Sequence, residues 1–197
     1  MFLALHRLLK LGVVTLWLGL AFLLWQQRER GRPLVDLYEA WRDSGYQQPP
    51  ALSRMEGTVA RVLGENTIQF KTADGQTFNL TIAGVIPGNA SKVHDLARRQ
   101  FAAETCSNLT ARFVGQPVSF AHTLLQPNHT GVGFAYVGTN QQNVTVELVA
   151  EGRGKLLPQA LRVLPIREQL ALRAADRAAR AGRKGLWDLS ADAVAGH

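Results

Sequence analysis

The stretch VLGENTIQF, residues 62–70, decides the fold. Val62 closes one apolar-alternating arm, Ile68 and Phe70 belong to a second, and Gly64, Glu65 and Asn66 separate them. That pattern predicts strand, tight turn, strand, with Glu65, Asn66 and Thr67 at the tip. Acidic or amide side chains at such a tip can hold a metal, or can simply make the turn.

Outward from the tip, MEGTVARVLG (55–64) and TIQFKT (67–72) both alternate, ADG (73–75) makes a hairpin turn, and QTFNLTIAGV (76–85) alternates again. This predicts a three-strand meander. Residues 91–115 then predict a helix. Ser91 caps it, Val93, Leu96, Ala97, Phe101, Ala103 and Leu109 form its apolar stripe, and Gly115 stops it. QPVSFAHTLL (116–125) and VGFAYVG (132–138) read as two further strands, and NVTVELVAEGRG (143–154) as a strand end running into a short helix stopped by Gly152. A final helix is predicted over 166–184. Ile166, Leu170, Ala174 and Ala178, joined by Ala171 and Ala175, form its expected buried face. Arg173, Arg177, Arg180 and Lys184 form a basic stripe opposite, and Trp187 is placed to plug a core edge. Three strands, helix, two strands and two helices predict an α+β protein built on a five-stranded OB-type β-barrel.

The chain has 197 residues, 46% of them hydrophobic, which suits one domain of ordinary size plus a small segment. Its net charge of +7 and pI near 10.2 favour anionic partners, either nucleic acid or an acidic membrane surface. The lone Cys106 excludes an intrachain disulfide. Residues 11–25 carry no charge, and the apolar run from 8 to 25, with Lys10 at its edge, just spans a bilayer core of about 30 Å. Phe22, Leu23, Leu24 and Trp25 stand where signal cleavage wants small residues, so an uncleaved single-pass anchor is expected. The expected organisation is an anchor over 1–32, a connector over 33–53, the OB domain over 54–190 and a tail over 191–197. In the connector, Leu34, Leu37, Tyr38 and Trp41 recur at helical spacing up to Gly45. An extracytoplasmic domain is the default orientation of a short N-tail. Five of the seven asparagines (Asn79, Asn89, Asn108, Asn128 and Asn143) lie in N-x-S/T sequons that an outside domain could use.

VARVLGENTIQF, LTIAGVIPG, VGFAYV, VELVAEGRGKLL and RAARAGRKGLWD, taken in order, resemble the successive blocks of staphylococcal-nuclease-like (thermonuclease) domains across residues 55–188. The resemblance implies a five-strand OB barrel that, in active members, hydrolyses phosphodiesters with calcium. It also implies where the site residues fall. The metal-binding aspartate of the hairpin tip corresponds to Asn66, followed by a retained Thr67. The third-strand arginine corresponds to Thr81, the loop aspartate to Ile86, the glutamate after the loop proline to Gly88, and the second arginine to Val132. Phosphodiester cleavage needs a hard cation held by carboxylates and cations for the transition-state charge. Losing one such group costs about a hundred- to a thousand-fold in rate, and here all five are replaced. Together with the apolar run and the basic charge, the replaced set leads to the expectation of a non-catalytic, membrane-anchored module with no cofactor, used for binding or scaffolding an anionic partner such as nucleic acid or anionic lipid. Its rival is a tethered endonuclease with a displaced site built from Glu65, His94 and Asp95, which would need calcium or another divalent cation. Turn, helix-start and loop roles for Glu65, His94, Asp95 and His129 compete with that assignment. The basic stripe has two roles open as well: phosphate contact, or complementing the C-terminal end of the helix dipole.

Overall fold

The computed structural model describes residues 17, 28–47, 49, 51–88 and 96–189. The expected span at 8–25 lies outside these apart from Trp17, as do Asn89, His94, Asp95 and the tail. Among the described residues no helix is long and apolar enough to cross a membrane. The chain divides into two compact units, Met1–Glu39 and Ala40–His197. Helix α1 (Arg28–Asp43) runs from the first into the second. It forms where the Leu34, Leu37, Tyr38 and Trp41 spacing predicts, and all four side chains are exposed. Gly45, with φ of 64°, ends it.

The second unit holds the barrel. Strands β1 (Ser53–Gly64), β2 (Thr67–Thr72) and β3 (Thr77–Ile82) form the predicted antiparallel meander. After the short β4 (Val85–Pro87) comes helix α2 (Leu96–Phe113), then β5 (Pro117–Leu125) and β6 (Thr130–Val137). The first half of β1 pairs with β5 and its second half with β2, so this one long strand serves both sides. Register shifts after Val59 and Val62 bend it to do so. β3 lies parallel to β6, which closes the five strands into a barrel of OB type. Ile68, Phe70, Leu80 and Phe120, at most 1% exposed, fill the interior in the period-two pattern of the sequence. Gly133 keeps β6 close to β5: a Cβ there would stand 2.2 Å from the Ala121 carbonyl oxygen.

Beyond the barrel follow β7 (Gln142–Asn143), α3 (Val144–Ala150), β8 (Gly154–Leu156), a 3-10 turn (Pro158–Val163) and α4 (Ile166–Ala181). The pairing of β8 with β4 was not legible in the sequence. Asn143 caps α3, accepting the Thr145 N–H at 2.9 Å. It is 6% exposed, which leaves no room for a glycan on this sequon.

Helix α4 is rotated from its predicted setting. Its buried residues are Gln169, Leu172, Asp176 and Ala179, whereas Ala171, Ala174 and Ala178 are exposed. Hydropathy favours the alanine face, but Asp43 at the end of α1 and Ser44 in the turn after it present polar groups to this helix. Gln169 Nε2 donates to Ser44 Oγ and to the Leu164 carbonyl, both at 2.9 Å, and Arg173 Nη2 meets Asp43 Oδ2 at 2.8 Å. Polar partners fix the helix azimuth here because burying them unpaired costs more than exposing alanine. After α4, Leu186 rather than Trp187 enters the core.

Candidate functional site at the barrel mouth

The five positions singled out by the resemblance converge on one end of the barrel. Thr67 at the hairpin tip is the register partner of Thr81, and Thr81 is the partner of Val132. The Asn66 carbonyl accepts the Ile82 N–H at 2.7 Å, which holds the tip against the end of β3. Ile86 is 44% exposed on β4, opposite Lys155 of β8, and Gly88 follows at the end of that segment. The fold thus brings Asn66, Thr81 and Val132 together, with the 86–88 segment beside them.

Their chemistry is poor for a metal. The set offers one amide oxygen and one hydroxyl, and Thr67 Oγ1 already faces Asn66 Oδ1 at 3.4 Å. Calcium takes six to eight oxygen ligands, with carboxylates among them, so these residues do not fit it. Glu65 is the nearby carboxylate, and its Oε1 accepts the Gly88 N–H at 3.2 Å. It clasps the hairpin tip to Gly88, where the resemblance places a glutamate. Gly88 has little space for one: a Cβ there would lie 2.7 Å from Leu186 Cδ2 and 3.2 Å from Glu65 Oε1. Nearby Cys106 is half-buried. Burial first, and then the Glu65 charge, hold its thiol above the ordinary range. Among the described residues no three His, Cys, Asp or Glu side chains are grouped to hold a metal.

The other expected players are placed as follows. His129 has φ of 59° in the β5–β6 loop, and its ring packs on Phe78 at 4.9 Å between centroids. Its carbonyl accepts the Asn79 N–H at 2.8 Å, so it shapes the loop. Asn128 Oδ1 accepts from the Thr130 N–H and hydroxyl in the same loop. The expected basic stripe is divided. Arg173 is 13% exposed and ion-paired with Asp43, and Arg177 is half-buried. Arg180 is 54% exposed, bonds Asp176 at 2.8 Å and lies 4.2 Å from the Trp187 ring. Lys155, which hydropathy could not associate with the stripe, stands 5.0 Å from the same ring. The Lys184 carbonyl lies 2.1 Å from where a Gly152 Cβ would stand, and Leu186 N–H donates to the Gly152 carbonyl at 2.9 Å. The chain after α4 is therefore tied to the α3–β8 turn. Lys155 and Arg180 flank Trp187 and border β4 through the β8 pairing, and Lys184 is exposed in the turn that follows α4.

A second charged group joins α2 to α3. Arg112 pairs with Glu147 and, at 2.9 Å, with Glu151, which also meets Arg153 at 2.7 Å. Burial raises the Glu147 carboxyl above its usual range against the pull of Arg112. Burial also opposes ionisation of Glu151, but the Arg153 and Arg112 bonds together outweigh it and lower that group. This network is a brace between helices. The protein-family models include none that matches the chain, and no curated protein matches it.

Proposed function

We propose that this chain is a staphylococcal-nuclease-like OB module that lacks phosphodiesterase chemistry and binds an anionic partner at a membrane surface. The observation that carries the first half is the Glu65–Gly88 clasp. Among the described residues, it engages the carboxylate beside the mouth with a backbone N–H, next to positions that supply no guanidinium. The +7 charge and the exposed Lys155, Arg180 and Lys184 support the second half. The uncharged run at 11–25 and the exposed Leu34, Leu37, Tyr38 and Trp41 of α1 support a membrane setting.

The test is binding of the full chain to a labelled oligonucleotide and to phosphatidylserine vesicles over a range of salt. The expected result is binding that weakens with salt and weakens further in Lys155→Ala with Lys184→Ala. Salt-independent binding, or none to either probe, would remove the anionic partner from this account.

A further inference from the structure

We propose that the outer face of the barrel carries a binding site for a small zwitterion of the α-amino acid type with an aliphatic side chain. The site is a cleft of about 200 Å³ between the start of β1, β6 and the segment that leads into α4. Water occupies about 30 Å³ per molecule in the liquid, so the space suits a ligand on the order of seven to nine non-hydrogen atoms. Drug-sized sites are larger, at about 300–1,000 Å³. Leu52, Val163 and Leu164 supply apolar wall, and Arg54, Tyr136 and Glu168 supply the polar groups.

The two charges are each held by a third party. Glu168 Oε2 accepts from Tyr136 Oη and from Asn143 Nδ2, both at 2.8 Å. Tyr136 is 3% exposed and Asn143 6%, so these donors are fixed. Burial first, and then the Glu168 bond, hold the Tyr136 hydroxyl well above its ordinary range, which keeps it a donor. Both bonds go to one carboxylate oxygen, leaving Oε1 without a hydrogen bond among the described residues. Arg54 lies over the Tyr136 ring at 4.6 Å, and its Nη1 donates to Gln141 Oε1 at 2.9 Å. Gln141 sits in the left-handed region with φ of 50°, an uncommon conformation that recurs where a side chain must be aimed. Arg54 keeps Nε and Nη2 without hydrogen bonds to described residues.

A cation and an anion therefore line one small cleft, and no ion pair within 4.0 Å joins them. Held apart by Tyr136, Asn143 and Gln141, they present a donor fork and an open carboxylate oxygen. A carboxylate on Arg54 and an ammonium on Glu168, with an aliphatic chain along Leu52, Val163 and Leu164, satisfy all three surfaces at once. A simple carboxylate or amine would leave one charge unanswered. The cleft shares no residue with the barrel mouth or the Trp187 cluster, so results at those sites leave it standing.

The test is isothermal titration of the full chain with L-leucine, L-valine and L-methionine. The controls are 4-methylpentanoate and 3-methylbutylamine, which are leucine without its ammonium and without its carboxylate. At least one amino acid should bind saturably, with Kd at or below about 1 mM. Both half-molecules should bind at least about tenfold more weakly. Glu168→Gln keeps an oxygen for Tyr136 and Asn143, and it should weaken binding by about tenfold or more at an unchanged melting temperature. Val163→Trp, which fills the cleft without touching the charges, should abolish binding. Absence of saturable binding by all three amino acids would overturn the proposal. So would equal affinity for a half-molecule, or wild-type affinity in both variants.

Discussion

Arg173 offers the sharpest test of how α4 is seated. Its Nη2 stands 2.8 Å from Asp43 Oδ2, with side-chain exposures of 13% and 22%. Arg173→Met keeps most of the apolar stem and removes the charge. Breaking a buried pair costs about 3–5 kcal/mol, and exposed pairs contribute up to about 1 kcal/mol. Asp43 retains Arg42 at 3.2 Å, which partly compensates it. The expected destabilisation is therefore intermediate, about 2 kcal/mol. Urea unfolding followed by tryptophan fluorescence reads it, with Asp43→Asn and the double variant completing a cycle. The coupling should be about 1 kcal/mol or more. Anion binding by Arg173→Met should equal that of the wild type after correction for folded fraction. A cost below about 0.5 kcal/mol, the range of an ordinary surface substitution, would refute the seating of α4. Loss of anion binding at full stability would refute it too, and would return Arg173 to an open basic stripe.

Glu65→Gln keeps an acceptor for Gly88 but removes the charge that helps raise the Cys106 thiol, so the Cys106 pKa should fall. Because the thiolate reacts, iodoacetamide labelling of the folded variant at mildly alkaline pH should be faster than for the wild type, and an unchanged rate would separate Glu65 from Cys106. Gly88→Glu restores a carboxylate at the nuclease-like position, but its Cβ meets Leu186; it should lower the unfolding midpoint and yield no calcium binding by titration. Gly133→Ala drives a methyl group into the Ala121 carbonyl and should cost about 3 kcal/mol or more, or prevent folding, as judged by urea unfolding and soluble yield. Glu151, held low by Arg153 and Arg112, contributes stability that is present above its unfolded pKa and lost as pH falls through its lower folded value; Arg112→Met should flatten that acid limb.

The barrel was legible because its strands obey a period of two and its turns carry Gly, Asn and Asp at the right places. Ile68, Phe70 and Leu80 announce their burial through alternation alone. The azimuth of α4 was not legible. Its alanines outscore Gln169 and Asp176 on hydropathy, and the partners that reverse the order lie some 130 residues upstream at Asp43 and Ser44. The same holds for Lys155, which joins Arg180 only through the β4–β8 pairing and the tie at Gly152. At the mouth, the resemblance indicated which five positions to examine and that their residue types differ from the nuclease pattern. It gave no sign that Glu65 reaches across to Gly88, since a contact between a hairpin tip and a loop 23 residues away has no local pattern. Arg54, Tyr136 and Glu168 were missed for that reason as well: each reads locally as an ordinary strand or helix residue.

A barrel mouth built from Asn66, Thr81, Ile86, Gly88 and Val132 is expected not to support phosphodiester hydrolysis. The direct measurement is cleavage of single- and double-stranded DNA and of RNA by the full chain, with calcium, magnesium and manganese supplied in turn and Glu65→Ala run alongside. The expected result is no metal-dependent cleavage above background by either protein. Metal-dependent cleavage by the wild type that disappears in Glu65→Ala would contradict it, and would make Glu65 a ligand in a rebuilt catalytic site.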